Sequence, residues 1–321
     1  MGDLADAPSR TCLYGEAIDK EQAVTTREET QQLTHLPTEP ARNPWDRIAP
    51  GYDRTNTPTQ MWVGDQGLRR AGVRAGMRFL DVASGSGALS IPAARLGAQV
   101  LATDQSPAML EHLNARARKE GVAVETRVMD GHALALEDNS FDVAGSQFGV
   151  MLFPDMPLGI REMARVVKPS GRVLMTVYGD PSRIEFFSFF VAAIRSVVPS
   201  FEGPPLNPPP LPFQLQNPER LREELTKAGL QGVVVETITE KTLFESGEHM
   251  WDWLVHSNPI VGEVLGHLDL TPVQVVAIGQ TLHDMVRQRA AGKSAAVLEA
   301  PIHIGVGTKP FGSTTLERDR G

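Results

Sequence analysis

The sequence predicts an α/β fold: a doubly wound, mostly parallel sheet of seven strands, with helical and loop insertions that form a substrate lid. Two observations predict it. Between Met77 and Tyr178, short apolar runs alternate with helical patterns at the spacing of strand–helix–strand units. The first of those runs stops at a cluster of small residues, "FLDVASGSGAL", Phe79 to Leu89, where a strand turns sharply into a helix.

The elements follow in order. Residues 1–42 are polar, charged and punctuated by proline, and are expected to form a disordered extension. From Asn43, "NPWDRIAPGYDRTN" brings in Trp45, Ile48 and Tyr52, and a helix is expected over Gln60 to Ala71. Met77 to Val82 is the first strand, and Ala88 to Leu96 a helix that Gly97 ends. Gln99 to Thr103 is the second strand. In "SPAMLEHLNARARKEG", Ser106 is an N-cap, Pro107 the first helical residue and Gly121 the stop. Val122 to Val128 and Phe141 to Gly145 are the third and fourth strands. The helix Pro157 to Val167 and the turn "KPSG" lead into a fifth, Arg172 to Tyr178. Beyond Gly179 come an aromatic-rich helix (Ile184 to Val197), a proline-rich loop and a helix (Pro218 to Ala228). A strand (Val233 to Thr239), helices over Glu248 to Val255 and Pro272 to Arg289, and a last strand (Ile302 to Gly307) complete the pattern. Residues 43–179 are thus the predicted core. Residues 180–310 add the rest of the sheet and the lid within the same domain, and 311–321 form a flexible tail.

Composition narrows the function. The formal net charge of -8 disfavours a nucleic-acid backbone as partner. The longest apolar stretch, Phe186 to Val198, is interrupted by Arg195 and is too short to span a bilayer. No signal-peptide pattern opens the chain, so a cytoplasmic location is expected. Cys12 is the only cysteine, which excludes an intramolecular disulfide and cysteine-based metal sites, and no His/Asp/Glu cluster has metal-ligand spacing.

Three acids carry the functional argument. Asp81, Asp104 and Asp130 each stand at the carboxyl end of a strand, where open parallel sheets bind ligands. Gly85 and Gly87 let the backbone turn and approach a ligand. Ser90 stands where a dinucleotide-binding loop would carry its third glycine, and the Lys-Ser/Thr pair of a P-loop is absent, so a phosphate is the poorer ligand. An acid after the second strand suits two ribose hydroxyls, and one after the third suits an adenine amino group.

These motifs resemble class I S-adenosylmethionine-dependent methyltransferases, which have a Rossmann-like fold. "LDVASGSG" is similar to that family's first motif, "TDQS" to the acidic end of its second strand, and "MDGHALALEDNSFD" to its third-strand segment. "EMARVVKPSGRVLM" is similar to the helix, turn and fifth strand that follow. "YDRTN" with "RVVKPSG" resembles the quinone C-methyltransferase (UbiE-like, type 11) branch. Ala83 departs from the glycine common at its position. The resemblance implies S-adenosyl-L-methionine as cosubstrate, no metal, and roles residue by residue. Ala83, Ser84, Gly85 and Gly87 would contact its methionine part, and Asp81 its amino group. Asp104 would take the ribose. Gln105, Met109, Asp130, Gly131 and His132 would frame the adenine. Gln147 would lie near the sulfonium. Tyr52 either closes over the donor or is a core aromatic.

The acceptor is expected to be a small, largely apolar molecule, with Phe148, Met151, Phe153, Phe187 and Trp253 as its walls. The phenylalanine stripe Phe186 to Phe190 also reads as plain core packing. His249 and His256 share a face with Trp253 and are the candidate general bases; both read equally as surface histidines. Partners expected are the methyl acceptor and, as an option, a second copy of the chain in a homodimer. The competing readings are a protein or RNA methyltransferase, and a protein that binds the donor without methylating. The fourth strand ends in "SQFGVMLFPD", without the Pro-Pro-Tyr signature used on amino nitrogens.

Overall fold

The computed structural model describes residues 43–203, 208–257 and 259–311. The expected disordered extension and nearly all of the expected tail lie outside the described residues.

Seven strands form one sheet: β1 (Arg78–Val82), β2 (Gln99–Asp104), β3 (Val124–Val128), β4 (Phe141–Gln147), β5 (Val167–Tyr178), β6 (Gln231–Phe244) and β7 (Ala296–Thr308). Their spatial order is β3-β2-β1-β4-β5-β7-β6. β1 to β5 pair in parallel, and β7 runs antiparallel between β5 and β6. The strand order reverses between β1 and β4. The carboxyl ends of β1, β2 and β4 therefore open onto one crevice.

Nine helices surround the sheet among the described residues: α1 (Pro44–Arg70), α2 (Ser90–Arg95), α3 (Pro107–Glu120), α4 (Met156–Val166), α5 (Glu185–Val197), α6 (Pro218–Lys227), α7 (Gly247–Ser257), α8 (Pro259–His267) and α9 (Pro272–Ala290). The caps of α3 are those read from sequence. The Ser106 side chain accepts from the Met109 N–H, and Gly121 takes the left-handed conformation at φ 68°.

Five elements differ from expectation: α1, β5, β6, β7, and α8, for which no helix was expected. α1 begins at Pro44 rather than Gln60 and runs through Pro50 and Pro58. Each proline removes a helical hydrogen bond. Both are exposed, while the opposite face buries Ile48, Ala49, Asn56, Thr57, Gln60 and Met61, so packing overrides the break. The "KPSG" turn is not a loop: it lies within β5, at a register irregularity against β4. β6 and β7 form a longer ribbon than predicted, paired from Gln231↔Thr308 to Phe244↔Ala296.

The insertions are packed into the molecule. Phe186 and Phe190 of α5, Trp253 and Leu254 of α7, and Ile278 and Leu282 of α9 all join the core cluster of the sheet. Phe187 and Phe189 are half-buried against it, so the phenylalanine stripe is core on one side only. No helix among the described residues is long and apolar enough to cross a membrane.

Candidate active site

The crevice at the strand reversal holds a cavity of about 360 Å³. Every one of the thirteen residues expected to bind the donor lines it, except Gly87. A Cβ at Gly87 would meet Leu113 of α3 and Ile91 of α2 at 3.0 and 3.1 Å. Its place is the contact of the loop with the helices behind it.

The floor is the turn after β1. Ala83 and Gly85 both have positive φ, 55° and 53°. Gly85 adopts this freely; Ala83 is held there against its preference. A Cβ at Gly149 would lie 2.6 Å from the Ala83 Cβ. That glycine, in "FGV" after β4, is what lets the two turns touch.

Asp104 fixes this loop. One carboxylate oxygen accepts from the Gly85 N–H at 2.8 Å, and the other from the Ser106 N–H at 2.9 Å. Burial raises its pKa, which these amides oppose. Asp81 is buried at 1% exposure. Its Oδ2 accepts from Ser90 Oγ at 2.5 Å, whereas Oδ1 has no partner among the described residues. Burial pushes the Asp81 carboxyl up to about 7, and the Ser90 hydroxyl works against that rise. Ser90, noted in sequence only as a missing glycine, thus orients an acid whose second oxygen is buried without a partner among the described residues. Asp130 is far more exposed and accepts from both the backbone N–H and Nδ1 of His132, which holds its carboxyl below the usual range. The His132 ring lies 4.4 Å from that of Phe153 across the cavity rim.

α1 straps across the loop. Asp46 accepts from Ser106 Oγ at 2.5 Å, Arg116 of α3 bonds Asp53 at 2.6 Å, and Thr57 shares a 2.5 Å hydrogen bond with Ser86. The Gln147 amide donates to the Gln60 carbonyl at 3.0 Å, leaving its Oε1 without a partner among the described residues. Tyr52 donates to Gln60 Oε1 at 3.2 Å and lies over Gly85. It lines the cavity and also packs against the small cluster of Ile48, Ala49 and Met109. Burial raises its phenol well above the ordinary range, with the charge of Asp104 adding to the effect.

The acceptor residues divide. Phe148 and Phe153 line the cavity, and Met151 is buried beside them. Trp253 stands at the end of an aromatic series: Phe148 stacks on Tyr178 at 4.4 Å, Tyr178 meets Phe186 at 6.0 Å, and Phe186 meets Trp253 at 4.9 Å. Phe187 faces elsewhere, 5.4 Å from Phe213. The two histidines are not brought to the cavity. His256 is half-exposed and pairs at 2.8 Å with Asp252, which also binds Arg54. His249 is exposed, its N–H bonded to Ser246 Oγ at the start of α7. The face they share with Trp253 in sequence turns its indole inward, while the His249 ring packs edge-on against Phe244 and His256 stays beside Asp252. Sequence reasoning missed Trp45, Met129, Leu152 and Gly149 in the lining. None of them offered a local signal; Gly149 stands two residues past the end of β4, in "FGV". Among the described residues no group of three or more His, Cys, Asp or Glu is arranged to hold a metal ion.

Comparison with known proteins agrees with this geometry. Residues 80–175, from β1 to β5, match the family model described as a methyltransferase domain. Those residues are thus similar to a methyltransferase domain. Around it, an uncharacterized protein of Mycobacterium tuberculosis is 38% identical over 130 residues, 40% of this chain and 46% of that protein. A demethylmenaquinone methyltransferase of Clavibacter sepedonicus is 36% identical over 147 residues, 43% of this chain and 57% of that one. The chain thus spans about half the length of the curated relatives it matches. The solved structure of a candidate methyltransferase from Bacillus halodurans shares the fold, at 17% identity and a TM-score of 0.50 over 77% of this chain and 98% of that one.

Proposed function

We propose that this chain transfers a methyl group from S-adenosyl-L-methionine to a small, largely apolar organic acceptor. The observation that carries the reading is the convergence of Asp81 and Asp104 on one loop in one cavity. Asp81 offers a buried carboxylate oxygen without a partner among the described residues. The cavity volume lies within the range of about 300–1,000 Å³ usual for small-molecule sites.

The residues present fit the donor. Asp81 Oδ1 would accept from its ammonium group. Asp104, already anchored by two amides, retains lone pairs for the ribose hydroxyls. Met109, His132 and the backbone of Gly131 would hold the adenine. When bound, the donor supplies an activated methyl on a sulfonium, so the protein's task is alignment and exclusion of water. Phe148 and Phe153 supply the dry wall on that side. The donor site falls within residues 43–179. Residues 180–310 supply Phe186 and Trp253 to the acceptor side. The likeness to a demethylmenaquinone methyltransferase is consistent with a ring acceptor.

The test is mass detection of a product heavier by one methyl group when the full chain, S-adenosylmethionine and a panel of phenols, quinols, lipids and peptides are incubated together. Methylation of apolar small molecules alone is the expected result. Methylation confined to peptides, or donor binding with no product from any class, would overturn it.

A further inference from the structure

Three residues of the cavity wall, Tyr52, Gln147 and Phe148, are tied to one buried side chain that lies behind the wall. Gln60 of α1 is 3% exposed. Its Oε1 accepts from the Tyr52 phenol at 3.2 Å, and its backbone carbonyl accepts from the Gln147 amide at 3.0 Å. Its side chain also hydrogen-bonds the Tyr178 phenol, and the Tyr178 ring stacks on Phe148, with 4.4 Å between centroids and 18° between planes. One residue thus connects wall positions carried by α1, by β4 and, through Tyr178, by β5.

Glycines bring α1 this close. Gly64 follows Gln60 by one helical turn, and a Cβ there would lie 2.6 Å from the Ala88 carbonyl oxygen and 3.4 Å from Gln147 Oε1. A larger residue would hold the helix away from β4 and break the bond from Gln147 to the Gln60 carbonyl. Gly67, three residues further on, lies on Leu174 and Thr176 of β5 in the same way. A side-chain amide suits the place behind the wall. It offers an acceptor to one phenol and a donor to the other, and brings no charge into the interior. Removing it would leave buried polar groups unpaired, so the network favours one arrangement of its members.

We propose that Gln60 is a positioning residue of the donor site, holding Tyr52 over the Gly85 turn and setting the Gln147 amide and the Phe148 ring beside it. The assignment rests on the methyltransferase reading and deepens it. Tyr52 Cε1 stands 3.6 Å from where a Cβ on Gly85 would lie, so the seat of this ring limits the space above the loop. Gln60 itself does not line the cavity. It acts through Tyr52 and Gln147, and a displacement of about 1 Å in either changes the fit of whatever is bound between them.

Calorimetry with S-adenosylhomocysteine on the full chain, Gln60→Met, Tyr52→Phe and the double variant decides the matter. Methionine keeps the length and helix preference of glutamine while removing both polar atoms, and Tyr52→Phe removes a single hydroxyl. Each single variant should bind about 5–10-fold more weakly than the wild type, and the double variant no more than about twofold more weakly than either, because both break the same connection. A melting curve checks that each variant folds. Should Gln60→Met fail to fold, Gln60→Asn, which keeps the amide but draws it back by one methylene, takes its place in the cycle. Wild-type affinity in either single variant, or losses that multiply in the double variant, would overturn the positioning role. Failure of the wild-type chain to bind S-adenosylhomocysteine instead overturns the donor reading.

Discussion

Asp81 in β1 and Asp104 at the end of β2 are the same residue type beside one cavity, yet their surroundings differ. Asp104 spends both oxygens on the amides of Gly85 and Ser106 and so shapes the loop. Asp81 has one oxygen bound by Ser90 and one open, in a setting that raises its carboxyl to about 7. Donor affinity should therefore rise with pH between about 6 and 8, as Asp81 ionises and can hold an ammonium group. Calorimetry across that range should show the rise in the wild-type chain and a flat profile in Asp81→Asn. Gly85→Val should cost about 1–2 kcal/mol of stability from its φ of 53°. An added Cβ would have room, with Tyr52 Cε1 its nearest neighbour at 3.6 Å, so the effect belongs to the backbone and a melting curve will read it. The three strand-end acids were legible because an acid closing an apolar strand is a local signal. Gly149 and Ser90 were not, because their roles depend on contacts with Ala83 and Asp81 that no short window contains.

At the scale of elements, α1 straps across the loop that floors the cavity, and α7 carries Trp253 at the end of the aromatic series. Arg116→Ala removes the part-buried ion pair that ties α3 to Asp53 of the strap. It should lower stability by no more than about 1 kcal/mol. It should weaken S-adenosylhomocysteine binding more than it changes the melting temperature. Trp253→Phe shortens the aromatic series without emptying the core. It should raise the acceptor KM while donor affinity stays within about threefold. Phe187→Ala, acting on a side chain that packs on Phe213, should leave both constants near wild type. The strand–helix alternation from β1 to β5 was readable because each element carries its own period and caps. The start of α1 was hidden by Pro50 and Pro58, whose cost is offset by packing against α3, α7 and the loop. The reach of β6 and β7 was hidden because their pairing is antiparallel and distant in sequence.

At the scale of the whole molecule, burial of the Asp81 and Glu240 carboxyls opposes stability. Both carboxyls keep their protons in the folded chain at pH values where the unfolded chain has lost them. The folded state then binds more protons between about pH 4 and pH 7, and these two groups make stability fall as pH rises through that window. Denaturant titrations at both ends should show a smaller fall in Glu240→Gln than in the wild-type chain. The most direct test of the central claim, that the cavity at the strand reversal holds the methyl donor, is calorimetric titration of S-adenosylhomocysteine into the wild-type chain and Asp104→Ala. One molecule per chain should bind the wild type, with affinity ~10–100-fold weaker in the variant through loss of charge-assisted hydrogen bonds. Equal affinity in the two, or no binding by the wild type, would contradict it.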